Sequence, residues 1–331
     1  MISYILLSCL AFFLSYYLTK LCIKLFRKIN LVDNPSGRKK HKHVTPTAGG
    51  LVILLAILLL STVLIYFELT PVSIYFLCAV TILGLVSFVD DVLHLKIMYR
   101  LPIQFIASWL TIKSLEPIVI VKLSFIPDMA LQVMLVVGMV YFINLYNFMD
   151  GIDGSACAEA VHIAFSFLTI SLIYSIDNMY GNYIALILLF ASLGFLIHNW
   201  SPAKIFLGDT GSTVLGLICG WLMLILAKSG YLAAAIIIPG YYIADSSLTL
   251  LKRILSKEKF WEPHTQHYFQ IATQKLSSHS KVTRKIIKYN SILFVLAVIS
   301  SLYPLICFLL AILVIARLLF KFNIYGKKIK D

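Results

Sequence analysis

Apolar runs close to a bilayer's width recur along the whole of this 331-residue sequence, and they constrain its fold more than any other feature. About 20 apolar residues in a helix cross the ~30 Å hydrocarbon core, where every backbone amide must be bonded within the protein. Such runs occupy residues 2–26, 48–67, 71–89, 101–115, 130–147, 155–175, 183–198, 212–227, 231–250, 288–303 and 305–320. The expected fold is therefore an all-α integral membrane protein, a polytopic bundle of 10 or 11 transmembrane helices forming one multi-span domain over 1–331. The fourth run is short and ends near Lys113, and the last two share a turn at Pro304 that would also suit one re-entrant hairpin. No basic residue precedes the first run and no small-residue cleavage site follows it, so it reads as a retained span rather than a signal peptide.

Charge sets the expected orientation. The net charge of +13 could suggest nucleic acid, but the basic residues sit in short loops between apolar runs, as membrane orientation requires, and nucleic-acid binding is set aside. With the N-terminus outside and the C-terminus inside, only Lys113, Lys122 and Lys228 of the 28 basic residues fall on the outer side. The six cysteines are scattered without CxxC spacing and imply neither a disulfide framework nor a zinc site. The same orientation brings Asp90, Asp91, Asp150, Asp153, Asp209, His264 and His267 to one face, in loops 27–47, 90–100, 147–154, 199–211 and 252–287. Those loops are the expected active site.

Each of these motifs also has a plain structural reading. "GDTGS" before an apolar run would serve as a turn with Thr210 or Ser212 as a helix cap. Asp90 and Asp91 could be a solvated loop start. Asn144, Asn147, Asp150 and Asp153 differ, because steps of three keep them near one helix face until Gly151 and Gly154 loosen the backbone. Two amides and two carboxylates in one stripe need a polar partner, whether a neighbouring helix or a ligand.

Taken together the acids favour a ligand. A carboxylate pair about 4 Å apart repels by about 4 kcal/mol at an effective dielectric near 20, which a divalent cation relieves. Oxygen donors without a Cys or His cluster point to Mg²⁺ or Mn²⁺. The first inside loop crowds Arg38, Lys39, Lys40, His41 and Lys42 into five positions, a cationic group suited to phosphate. Metal-binding acids, phosphate-binding cations and Gly-rich turns at a membrane edge suggest phosphoryl transfer to or from a lipid.

"VDNPSGRKKHKHVTPTAGG", "DD" after the third run, "NLYNFMDGIDG" and "NWSPAKIFLGDTGS", in this order, resemble the polyprenyl-phosphate N-acetylhexosamine-1-phosphate transferases of glycosyltransferase family 4. The resemblance covers residues 30–275. It implies a bundle of ten or eleven helices in the inner membrane, a cytoplasmic active site, Mg²⁺, and transfer of a sugar 1-phosphate from a UDP-sugar to undecaprenyl phosphate with release of UMP. It further implies Asp209 as a metal ligand, Asp90 and Asp91 as the paired acids, and Asp150 and Asp153 as a second acidic pair. On this footing Asp90 orients or deprotonates the lipid phosphate, Asp91 supports the metal or a nearby cation, and Asn147 and Asp150 contact the donor phosphates. Asn144, Arg38, Lys39 and His41 join them as substrate-binding candidates, and Asn147 joins Asp209 and Asp91 as a metal candidate. Which of Asp150 and Asp153 touches substrate stays open. No P-loop pattern occurs, and none is needed where one pyrophosphate bond replaces another.

Residues 244–272 lack the three consecutive histidines of the muramoyl-pentapeptide branch and the His-Ile-His-His type motif of the N-acetylglucosaminyl branch. They are similar instead to O-antigen initiating enzymes of lipopolysaccharide synthesis that accept UDP-linked N-acetylated 6-deoxyhexoses such as N-acetylfucosamine or N-acetylquinovosamine. UDP-N-acetylglucosamine is the runner-up. Arg253, His264, Gln266 and His267 are the sugar-recognition candidates, with Asp245, an acid near a span end where a lone structural role is costly. A homodimer is compatible with this reading. A transporter of lipid-linked sugars is the alternative of another class, although transporters place polar groups near the midplane rather than at one edge.

Overall fold

In the computed structural model, residues 2–33, 44–117, 127–259 and 264–327 are described. They form thirteen helices and one two-stranded bridge: α1 Ile2–Lys28, β1 Val32–Asp33, β2 Thr45–Pro46, α2 Leu51–Tyr66, α3 Ile74–Leu93, α4 Ile97–Lys113, α5 Asp128–Phe148, α6 Ser155–Ile173, α7 Met179–Asn199, α8 Gly208–Lys228, α9 Leu232–Ile237, α10 Gly240–Leu255, α11 Tyr268–Leu276, α12 His279–Ile299 and α13 Pro304–Lys327. Seven of them, α1, α3, α5, α6, α7, α8 and α13, are long and apolar enough to cross a bilayer. The chain is a multi-pass, all-α membrane protein.

Every apolar run is helical, with two corrections. The ninth, expected as one span over 231–250, breaks at Pro239 into α9 and α10, because proline removes an amide and its ring collides with the preceding turn. α12 begins at His279, well before the expected 288, since Val282, Thr283, Ile286 and Tyr289 give its basic first turns a buried face. The 252–287 loop contains a helix of its own, α11, which apolar counting could not detect.

α8 is the axis of the bundle. Nearly all its side chains are buried, and it packs on α3, α5 and α6. Its start approaches the start of α2 so closely that a Cβ on Gly50 would lie 2.0 Å from Gly211 Cα, so both positions must lack a side chain. The segments before the two helices are laced together: Phe206 N donates to Pro46 O (2.8 Å), Gly49 N to Phe206 O (2.9 Å) and Gly50 N to Leu207 O (2.7 Å). This brings the "TAGG" and "GDTGS" motifs together at one end of the bundle. The ends of α3, α5 and α7 and the starts of α4, α6 and α8 meet there too.

Candidate active site

Asp91 builds the start of α8. Its carboxylate accepts from the amides of Asp209 (2.8 Å) and Thr210 (3.0 Å) and from the Thr210 hydroxyl (2.5 Å). A helix's first amides have no intrahelical partner and carry partial positive charge, so a carboxylate supplied from another helix is a strong cap. Gly208, at φ +75°, takes a left-handed turn that a side chain would block, because an added Cβ would lie 2.6 Å from Asp91 Oδ2. Both Asp91 oxygens are thus engaged by protein donors, which makes Asp91 a residue that positions Asp209. Asp91→Ala should lower stability by about 1–2 kcal/mol, the usual cost of a lost cap, read as a lower melting temperature in detergent, with Asp91→Asn intermediate.

Arg100, from the first turn of α4, bridges Asp90 Oδ2 (2.5 Å) and Asp209 Oδ2 (2.8 Å). Asp90 is buried, and its other oxygen accepts from Leu95 N (2.7 Å). A guanidinium between two carboxylates offsets much of their mutual repulsion. Arg100 was missing from the sequence candidates; the available signal was a lone arginine entering an apolar helix, with Gln104 one turn further on.

The Asn/Asp stripe divides at the end of α5. Asn144 donates to Gln104 Oε1 (2.6 Å) and Val140 O (2.8 Å), and Asn147 Oδ1 accepts from Ser212 Oγ (3.0 Å). Because α5 stops at Phe148, Asp150 and Asp153 lie in the following turn rather than on one helical face. Among the described residues no group donates to the Asp150 carboxylate, and burial with repulsion from Asp209, Asp91 and Asp153 pushes its proton affinity well above the usual carboxylate range. Asp153 is instead engaged, pairing with His279 Nδ1 (3.0 Å) and accepting from Ala203 N (3.2 Å). Burial alone would raise it, but His279, Ser201 and the Ala203 amide together outweigh burial and hold its carboxyl below the ordinary value. A lowered folded value contributes stability that is present above the unfolded value, near 4, and is lost as pH falls through the folded one. Asp153→Asn should therefore melt below the parent protein at pH 7, by about 1–2 kcal/mol, with the two curves converging below about pH 4.

Two cavities meet at these residues. A polar one of about 350 Å³ is lined by Asn147, Asp150, Asp153, Asp209, Gln270 and His279. A larger one of about 820 Å³ has apolar walls from Leu83, Leu101, Leu251 and Ile254, with Asp90, Arg100, Asn144 and His264 at its polar part. Asn147, Asp209 and Gln270 line both. Among the described residues no three His, Cys, Asp or Glu side chains form a metal cluster. Oxygen-bearing side chains on the polar cavity include Asp150, Asp209 and the Asn147 amide, with Asp33 and the His279-paired Asp153 also on its wall. Two carboxylates and an amide fit Mg²⁺, which keeps waters and takes substrate phosphate oxygens as its remaining ligands, and the unpartnered Asp150 carboxylate fits such a role.

The sugar-recognition candidates separate. Asp245 is fully buried and accepts from Tyr241 OH (2.9 Å), Tyr268 N (3.0 Å) and Phe269 N (3.1 Å), with His267 Nδ1 at 3.4 Å. It caps α11 and lines neither cavity, and three donors make a buried acid affordable without a ligand, in place of the expected substrate contact. Arg253 likewise turns inward, to Lys259 O (2.7 Å) and Glu258 (3.2 Å). Gln266 is exposed and donates to Glu258 (3.0 Å). His264 and His267 stack at 4.8 Å on the larger cavity's wall, and burial, with the charges of His267 and Arg253, lowers His264 to about 4. Gln270 and His279, which line the polar cavity, were not among the sequence candidates. Arg38, Lys39 and His41 lie outside the described residues.

Residues 73–227 match the model of glycosyl transferase family 4. A probable undecaprenyl-phosphate N-acetylglucosaminyl 1-phosphate transferase of Bacillus subtilis is 29% identical over 72% of this chain and 69% of its own length. A phospho-N-acetylmuramoyl-pentapeptide-transferase of Staphylococcus carnosus is 28% identical over 80% and 90%. An undecaprenyl-phosphate alpha-N-acetylglucosaminyl 1-phosphate transferase of Thermotoga maritima is 26% identical over 80% of each chain. With its acids gathered at one end of a helical membrane bundle, the chain is a phospho-sugar transferase, similar over residues 73–227 to glycosyl transferase family 4 and, over most of its length, to undecaprenyl-phosphate sugar-1-phosphate transferases.

Proposed function

We propose that this chain moves an N-acetylated sugar 1-phosphate from a UDP-sugar to undecaprenyl phosphate at the cytoplasmic face of the inner membrane, initiating O-antigen or another envelope polysaccharide. The observation that carries this reading is Asp209 on the common wall of a polar and an apolar-lined cavity. A nucleotide sugar suits the polar cavity. A polyprenyl chain suits Leu83, Leu101, Leu251 and Ile254, which leaves its phosphate near Asp90 and Arg100.

In the reaction an oxygen of the lipid phosphate bonds to the sugar-bearing phosphorus, and that phosphorus loses its bond to the oxygen of UMP, which departs with the electron pair. Asp90 orients the incoming phosphate, Arg100 holds Asp90 and Asp209 at the meeting point, and Asp91 acts through α8. Asn147 and Asp150 face the donor phosphates, while Asp153 holds the loop that carries Asp150. Bound Mg²⁺, or Mn²⁺, would supply the positive charge that lets two phosphates approach. A phosphate is already nucleophilic, so direct attack needs no covalent enzyme intermediate. Double-displacement kinetics with a trapped phospho-aspartate would overturn that order.

For the sugar, the 244–272 segment favours an N-acetylated 6-deoxyhexose, and the names of two relatives support UDP-N-acetylglucosamine as the second reading. Purified protein given undecaprenyl phosphate, Mg²⁺ and a panel of UDP-sugars should release UMP, fastest with a deoxysugar donor. No release with any UDP-N-acetylhexosamine would refute the transferase reading and favour a transporter.

A further inference from the structure

Gln270 stands where the two cavities join, and none of the roles above uses it. It is the third residue of α11, and its Oε1 accepts from the amide of His267 (3.2 Å). An N–H can only meet an oxygen, so this bond fixes which end of the side-chain amide faces the helix start. Nε2 therefore points away from the helix start. It passes over the turn that carries Asp150, where a Cβ built on Gly151 would lie 3.2 Å from it. Among the described residues no acceptor meets Nε2. Of the three residues that line both cavities, Asp209 is held by Arg100 and Asn147 by Ser212, which leaves Gln270 as a pinned, neutral donor without a protein acceptor.

We infer that Gln270 Nε2 donates a hydrogen bond to the phosphoryl group in transfer. This rests on the proposed reaction, in which donor and acceptor enter from different cavities and the reacting phosphorus must be reachable from both. During transfer, charge spreads over the nonbridging oxygens of that phosphorus, and a donor already held in place stabilises it without reorganising. Gln270 passes no proton; the bonds made and broken are those of the phosphoryl transfer alone.

Gln270→Glu separates this role from a structural one. Glutamate at the third helical position still accepts from the His267 amide, so the α11 cap survives, but it turns the cavity-facing donor into an anion. Turnover by Gln270→Glu should fall by about 100-fold, the typical effect of removing one oriented donor, with KM for the UDP-sugar changed less than about threefold and the melting temperature retained. Gln270→Met, which lacks the donor without adding charge, should lose turnover in the same sense and decides the matter if the Glu variant does not fold. Turnover within about threefold of the parent in the folded variant, or a rise confined to KM, would overturn the inference and leave the proposed reaction standing. Absence of UMP release by the parent protein would instead overturn the reaction, whatever residue 270 carries.

Discussion

Asp209→Asn should cut turnover by about a thousandfold or more while leaving the protein folded in the membrane, because it removes a charge at the point of transfer and changes little else. Among the described residues the Asp209 side chain accepts from Arg100 (2.8 Å), and α8 is capped through the Asp209 backbone amide, which the substitution leaves intact. Asparagine also keeps an oxygen for the guanidinium. A loss of activity at unchanged melting temperature is therefore the expected signature, measured as UMP release beside thermal unfolding in detergent. Retained activity would remove Asp209 from the reaction.

Arg100→Leu should affect both stability and turnover. It leaves Asp90, buried with 5% exposure, opposite Asp209 with no cation between them. Removing one partner of a buried ion pair typically costs about 3–5 kcal/mol; the partial exposure of Arg100 and Asp209 reduces this to about 2–3 kcal/mol. Turnover should fall by about 100-fold or more, since both acids lose their orientation. Arg100→Lys, whose ammonium can also donate to two carboxylates, should restore most of the stability and only part of the rate. If Arg100→Leu melts with the parent protein, the bridge is not the element that holds the two acids together.

Membrane architecture was legible in the sequence because the bilayer imposes a length and a composition on every span. That rule placed a helix in every apolar run without any long-range information, and seven of these helices are long and apolar enough to cross a bilayer. It could not see that Pro239 breaks the ninth run, a matter of local backbone chemistry within an apolar stretch, nor the short amphipathic α11. The acidic motifs were legible for a related reason: carboxylates among apolar runs are costly and stand out. Their individual roles were not. Asp91 and Asp245 look in sequence like Asp90 and Asp209, yet each is consumed by capping a helix.

Within the second acidic pair the division also came from three dimensions. Asp153 meets His279, 126 positions away, and Asp150 meets no donor among the described residues. By itself, the amino-acid sequence determined a helical membrane bundle, the grouping of its acids in a few span-end motifs, and the resemblance to a family. Tertiary structure decided which of those acids face open space and which are bound to amides, and it brought in Arg100, His279 and Gln270. The reason is physical: a carboxylate's charge is written locally, but what it does depends on the donors the fold sets against it. For Asp91 and Asp209 those donors come from segments more than 100 residues away.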